Sequence, residues 1–174
     1  AMREAVTRTS NIIGGLQRFT ANLIPKQNVV DVANLIRQQL ALYTPIYEQQ
    51  RVELQVDLAN IDTIYGDRDL LAELLENLLK NSVEALESGG IVQIVLNADQ
   101  KNVTLEIINN GFLLKEEEAK RIGEPYFTTK IRGSGLGLAL CRRIAEAHMW
   151  NFCIYPDEHT KTFTVTLTIP LSTS

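Results

Sequence analysis

Cysteine is almost missing from this chain, which has two among 174 residues, and histidine is equally rare at two. Cys141 and Cys153 form no C-x-x-C motif and stand near no histidine cluster, which excludes a disulfide framework and a zinc-finger ligand set. Both lie in apolar contexts and read as buried, reduced thiols, which suits a cytosolic compartment. Positive charge is not in surplus either. Seventeen Lys and Arg face 21 Asp and Glu, for a net charge of −4, so the broad basic footprint of a nucleic-acid-binding protein is lacking. No apolar run reaches the length of a membrane span and no signal-peptide pattern opens the chain. The piece is therefore expected to be soluble, although its parent can still be membrane-anchored. There are no internal repeats and no low-complexity segments. What is present, 45% apolar and 22% charged residues, describes an ordinary globular protein with room for one core and a short appendage.

Ala5, Thr9, Ile12, Leu16, Phe19 and Leu23 recur at spacings of four and three, which predicts a helix over 5–23 with a narrow apolar seam. Such a seam either pairs with another helix or packs on its own domain. Gly14 and Gly15 weaken it by about 1 kcal/mol each relative to Ala, and Pro25 ends it. NVVDV reads as a short connecting strand. A second helix is expected over 31–51, with Val32, Leu35, Ile36, Leu40 and Leu42 as its apolar face. VELQVDL alternates as a strand does, and TIYGD reads as another. Asp67 or Asp69 can cap a long helix over 68–87 that stops at Ser88-Gly89-Gly90. IVQIVLNA and NVTLEII form an expected hairpin. The following IINNGFLL holds an Asn-Gly pair, a strong tight-turn signal. A short charged helix with Glu116–Lys120 and Glu117–Arg121 pairs comes next, then a loop over 123–134, a helix over 136–148, and a hairpin of NFCIY with TFTVTLTI. The class is α+β, with a mixed sheet and helices on one face.

Two stretches can carry chemistry. On the long helix, Glu73, Asn77, Asn81 and Glu84 fall within about 80° of one another, away from the Leu71, Leu75, Leu78 and Leu86 core face. A polar stripe can be a plain solvent face. Asn is a poor choice for one, however, because it forms helices weakly, and an Asn oxygen is a neutral, hard ligand for Mg²⁺. Farther on, Gly133, Gly135 and Gly137 alternate just before an apolar helix, with Thr128, Thr129, Lys130 and Ser134 close by. Glycines admit close backbone approach, and free amides at a helix start favour anions, so this loop can cradle phosphates. It can equally be a shaped loop and nothing more, and it is not the G-x-x-x-x-G-K-[ST] phosphate loop.

In order, NLLKNSVEA, NNG, EPYFTTK and GSGLGLAL resemble the N, G1, F and G2 boxes of the sensor histidine kinase ATP-binding domain, and the wording is most similar to the nitrogen-regulation type. The resemblance spans about residues 31 to 171. It implies a two-layer α/β sandwich of the Bergerat type, with a mixed, mostly antiparallel sheet and helices on one face, preceded by a short N-terminal helix. ATP would lie between the long helix and a lid at 123–134. The implied nucleotide-binding residues are Asn77, Asn81, Asn109, Gly111, Thr128, Thr129, Lys130, Gly133, Ser134, Gly135, Leu136 and Gly137, with Asn81 holding Mg²⁺ on the triphosphate. Asn109 falls where the family carries an adenine-contacting Asp. An Asn oxygen gives a neutral bond there, roughly 1 kcal/mol weaker than a charge-assisted one, so restoring the acid is expected to tighten binding. Other departures are Leu113 for a glycine, Gly123 for a Phe, Met149-Trp150 for Gly-Gly, and Thr162-Phe163 for Gly-Thr.

The family transfers phosphate to a histidine on a two-helix dimerisation element. His148 ends a helix in an ordinary EAH context and is expected to cap it, and His159 is expected in an exposed turn; neither has phosphoacceptor wording. Residues 1–25 resemble a remnant of the second dimerisation helix, and 26–174 the catalytic domain. The phosphoacceptor histidine is therefore not in this chain, which would bind ATP or ADP without autophosphorylating alone. The implied partners are the dimerisation and phosphoacceptor domain, a response regulator and, in the full-length protein, a second copy, with no nucleic acid. The implied setting is the cytosolic portion of a bacterial protein. Two alternatives stand beside this reading. One is a degenerate pseudokinase or partner-binding module, motivated by Asn109, Leu113 and Gly123. The other is a gyrase- or Hsp90-type ATPase, which would need a carboxylate where Asn77 stands.

Overall fold

The computed structural model describes residues 14, 17, 19–61, 63–86, 89–110, 116–128 and 135–171. Helical backbone at residues 14, 17, 19 and 20 ends at Ala21, whose amide bonds the Gln17 carbonyl at 3.0 Å. An extended stretch through Pro25 leads to strand β1 (Asn28–Val30). Helix α1 (Val32–Gln49) starts at Asp31, whose carboxylate accepts the Asn34 amide at 2.8 Å, an ordinary N-cap. Val32, Leu35, Ile36, Leu40 and Tyr47 are buried along α1, while Leu42, expected among them, is 67% exposed. At 100° per residue Leu42 lies about 140° from the centre of the stripe through Ile36, Leu40 and Tyr47, which explains the difference.

Strands β2 (Glu53–Leu58) and β3 (Ile64–Gly66) precede helix α2 (Arg68–Ala85). Strands β4 (Ile91–Ala98) and β5 (Asn102–Asn110), helix α3 (Glu116–Arg121), helix α4 (Gly137–Ala147) and strands β6 (Asn151–Asp157) and β7 (Thr162–Pro170) follow. The main sheet has the order β2-β4-β5-β7-β6, with β1 and β3 paired in a separate antiparallel ribbon. β2 runs parallel to β4, as the crossover through α2 requires, and the other pairings are antiparallel. Alternate residues of β4, β5 and β7 are buried, so Ile94, Leu105 and Val165 share one core with Leu74 and Leu78 of α2 and Leu140 and Ile144 of α4. The class is α+β, a mixed sheet with helices laid on it. Among the described residues no helix is long and apolar enough to cross a membrane.

Two turns of chemistry fix the ends of α2 and α4. Asp67 caps α2: one carboxylate oxygen accepts the Asp69 and Leu70 amides at 3.0 and 3.1 Å, and the other accepts the Lys26 amide at 2.9 Å. At the far end of α4, Met149 adopts φ 59°, and the Trp150 and Met149 amides bond the carbonyls of Ala145 and Glu146. That is a Schellman stop with Met where glycine is usual. His148 caps as expected. Its Nδ1–H donates to the Ile144 carbonyl at 2.7 Å and its Nε2 accepts the Asp67 amide at 3.0 Å, so it joins the two helix ends. Trp150 stacks on the imidazole at 4.0 Å and lies so close to Gly66 that a Cβ there would meet the indole at 2.7 Å.

Two further expectations change. Asn109 and Asn110 are the last residues of β5, paired with Phe163 and Thr162, so the strand runs two residues past NVTLEII. Cys141 is fully buried and burial pushes its thiol pKa up, but Cys153 is only half-buried, because β6 is an edge strand with one neighbour. His159 is exposed in the β6–β7 turn.

Candidate functional site

The polar stripe of α2 meets the start of α4. Asn77 Nδ2 donates to the Glu73 carbonyl at 2.8 Å, which commits the nitrogen and leaves Oδ1 turned outward. That oxygen faces Gly137: a Cβ on Gly137 would stand 3.2 Å from it. Gly137 is the first residue of α4, whose preceding Leu136 is buried and gives no side-chain cap, and no acid lies in the first turn. An uncapped helix start keeps its amides and its positive dipole end for another acceptor. Asn81 is half-buried one turn along α2 from Asn77.

The glycine segment is packed against EPYF backbone to backbone. Gly135 has φ +68°, and a Cβ there would come within 2.4 Å of the Tyr126 carbonyl carbon and 2.7 Å of Phe127 N. The Tyr126 amide donates to the Gly135 carbonyl at 3.0 Å. No side chain fits this seam, which accounts for glycine at 135. Arg121, at the end of α3, bonds Glu124 at 3.3 Å and lies over the Phe127 ring at 4.5 Å, bracing the same segment. Gly123 explains itself similarly. With φ +86° and a virtual Cβ 2.9 Å from Ile154 Cδ1, the position has no room for the Phe the family wording led one to expect. Thr128 is exposed at the end of the described segment, while Gly111, Thr129, Lys130, Gly133 and Ser134 lie outside the described residues.

Asn109 is 2% exposed on β5, and its Nδ2 donates to the Ser82 carbonyl of α2 at 3.2 Å. Ser82 Oγ bonds the Leu79 carbonyl at 2.8 Å and Tyr47 OH at 2.6 Å, and Tyr47 OH also reaches the Leu79 carbonyl at 3.2 Å. Burial pushes the Tyr47 phenol up to about 12, despite the opposing Ser82 bond. Sequence reasoning missed Tyr47 and Ser82. The signal was available for Ser82 alone, a polar residue at a buried phase of α2.

The structure therefore brings Asn77 to Gly137, Gly135 to Tyr126 and Phe127, and Asn109 to α2. Comparison with known proteins bears on the family and the fold. A profile of the histidine kinase-, DNA gyrase B- and HSP90-like ATPases matches residues 66–173. Sporulation kinase E of Bacillus subtilis (strain 168) is 33% identical over 141 residues, covering 79% of this chain and 19% of its own length. The catalytic domain of histidine kinase ThkA superposes with a TM-score of 0.74 at 26% identity, over 83% of this chain and 97% of that one. ThkA in complex with its response regulator protein TrrA matches 98% of this chain and 49% of that one, at 22% identity and a TM-score of 0.81. Full-length ShkA in complex with AMPPNP has the same fold over all of this chain and 38% of that one, with a TM-score of 0.85 at 23% identity. The chain spans 16% to 38% of the length of the curated relatives it matches. It belongs to the histidine kinase-, DNA gyrase B- and HSP90-like ATPase family, as an ATP-binding catalytic domain of the sensor histidine kinase kind.

Proposed function

We propose that the chain holds Mg-ATP between α2 and the start of α4 and positions the γ-phosphoryl group for transfer to a histidine outside this sequence. The observation that carries the reading is Asn77 Oδ1 lying 3.2 Å from where a Gly137 Cβ would stand, beside a helix start with neither side-chain cap nor acid. A glycine is what such a place needs if phosphate oxygens are to approach the α4 amides. The α2 stripe fits Mg²⁺ as well. Asn81 offers a hard, neutral oxygen, and among the described residues no three His, Cys, Asp or Glu side chains converge, so the ion would be shared with phosphate oxygens. Bound there, Mg²⁺ would neutralise charge on the triphosphate during phosphoryl transfer.

The chain's own residues do the positioning. Asn77 and Asn81 set the α2 side of the triphosphate; Gly133, Ser134, Gly135, Leu136 and Gly137 supply backbone amides. Thr128, Thr129 and Lys130 approach from the lid, and Asn109 with Gly111 takes the adenine. Placement and charge neutralisation are the main catalytic contributions for this reaction class. Residues 1–25 are read as the end of a dimerisation helix joined to a domain over 26–174. The end of that helix also touches the domain, where Arg143 of α4 donates to the Ala21 carbonyl at 3.0 Å and lies over the Phe19 ring at 5.0 Å. In the parent protein the partners are the phosphoacceptor domain, a second copy and a response regulator, on the cytosolic side of a bacterial cell. Titration calorimetry with Mg-ADP tests the core of this reading: heat of binding is expected, and none at millimolar ligand with folded protein would sink it. Restoring the histidine-bearing helix should then yield phosphohistidine from labelled ATP.

A further inference from the structure

We propose that His148, Asp67 and Lys26 form a proton-operated latch: neutral His148 keeps the extended stretch before β1 fastened to the domain, and protonated His148 lets it go at Lys26. The latch stands apart from the nucleotide site and does not rest on the reading above. The stretch over 22–27 joins the N-terminal helical backbone to β1 and is fastened along its length. Arg143 of α4 holds its helical side through the Ala21 carbonyl and the Phe19 ring, and Leu23 packs against the core. At its other side the Lys26 amide donates to Asp67 Oδ2 at 2.9 Å, and the Asp67 amide donates to the titratable ring of His148.

The ring fits this place in one protonation state. His148 Nδ1–H is committed to the Ile144 carbonyl at 2.7 Å, so Nε2 must carry the lone pair that accepts the Asp67 amide at 3.0 Å. A proton on Nε2 would set two N–H donors against each other at a place 5% open to water. The ring has no room to turn away: Trp150 stacks on it at 4.0 Å, and a Cβ on Gly66 would stand 3.6 Å from its Cδ2. Asp67 is the charged group that acts on the ring, since Ile144 offers a carbonyl and Trp150 and Gly66 carry no charge. The acceptor within reach of the new proton is therefore the Asp67 carboxylate. Its Oδ1 is held by the Asp69 and Leu70 amides at 3.0 and 3.1 Å, while its Oδ2 takes the Lys26 amide. Oδ2 is the oxygen that turns to the imidazolium, exchanging a neutral donor for a charged one, and Lys26 loses its acceptor. Burial holds the His148 pKa below 6.5, and Asp67, with its pKa below 3.8, is still ionised there. The latch is thus shut at neutral pH and opens as pH falls beneath 6.5. The joint between the N-terminal helix and the domain then rests on Leu23 and Arg143.

The test follows the whole chain from pH 7.5 to 4.5 with two probes. Emission of Trp150, the one tryptophan of the chain, reports the proton on the ring it stacks against. Hydrogen exchange of the Lys26 amide, corrected for its intrinsic pH dependence, reports the latch. Lys26 protection should fall about tenfold, the worth of one hydrogen bond, at the midpoint of the Trp150 titration. The Asp69 and Leu70 amides should keep their protection through it. In His148→Gln, Lys26 protection should no longer follow pH. In Asp67→Ser, whose one side-chain oxygen is taken by the α2 cap, Lys26 protection should be low at every pH while Trp150 still titrates. Trp150 emission flat to pH 4.5 in folded protein, or a Trp150 midpoint that leaves Lys26 protected, overturns the latch. So does a joint loss of protection at Lys26, Asp69 and Leu70, which would make His148 a structural cap and nothing more, or a pH-dependent Lys26 in folded His148→Gln. If His148→Gln does not fold, the wild-type midpoints and Asp67→Ser decide.

Discussion

Helices α2 and α4 begin in opposite ways. Asp67 closes the start of α2 from within the protein, taking the Asp69 and Leu70 amides of that helix and the Lys26 amide beside it, while His148 takes the Asp67 amide in turn. The start of α4 differs: among the described residues it has no side-chain cap and no acid in its first turn, and glycines stand at 135 and 137. One end is finished within the protein, and the other is the end that the proposed function gives to phosphate. Under that proposal the contrast separates residues that hold the fold from residues that would hold the nucleotide, although both sit at helix N-termini with the same dipole.

The strongest way to break the contrast is to finish the open end. Gly137→Asp puts an acid beside the α4 amides and the Asn77 oxygen, where it complements the dipole yet fills the phosphate position. Mg-ADP affinity should fall at least about a hundredfold by calorimetry while the melting temperature holds or rises. Opening the closed end should do the reverse. Asp67→Ala is expected to cost about 2 kcal/mol in urea unfolding, the N-cap plus the stranded Lys26 amide, with Mg-ADP affinity kept within about twofold. An effect of Asp67→Ala on affinity larger than on stability would contradict the division.

The closed end should also respond to acid. Burial lowers the His148 pKa below its usual 6.5, ahead of the opposing Ile144 carbonyl and Asp67 charge, so the folded protein resists a proton that the unfolded chain accepts. Stability from this group is therefore complete above pH 6.5 and is lost as pH falls from there toward the lower folded value. Asp67 stays ionised through that window. Burial pulls its pKa up, but the Lys26, Leu70 and Asp69 amides outweigh it and hold it below 3.8. Urea midpoints should decline from pH 7 to 5.5 in the wild type and stay flatter in His148→Gln. The smallest change expected is at the Schellman stop: Met149→Gly relieves a left-handed Met that is 87% exposed. Removing roughly 1 kcal/mol of backbone strain while adding chain entropy should leave a net gain of about 0.5 kcal/mol, read as a raised urea midpoint at constant slope.

Local patterns carried most of the fold in readable form. Period-two alternation located β4, β5 and β7, and Asp67 announced α2, because strand pleat and helix capping act over a few residues. Readability stopped where distant segments meet. Nothing near His148 reveals that its Nε2 takes the Asp67 amide from another helix end, and nothing near Gly66 reveals the indole of Trp150 against it. The candidate site divides in the same way. The Asn77 and Gly137 motifs were legible as wording, but their contact was not, nor was Ser82 as the partner of Asn109. Leu42 was misplaced because a stripe read residue by residue ignores the drift of its centre along α1.

The edge strand β6 has a consequence for how copies of the chain behave together. Its outer side offers unpaired backbone groups of the kind that recruit a foreign strand, yet Pro156, lacking an N–H, interrupts the row. Asn151–Tyr155 remains as the uninterrupted part of that edge, shortened by the proline. At high concentration this flank should recruit a foreign strand less readily than an edge without the proline.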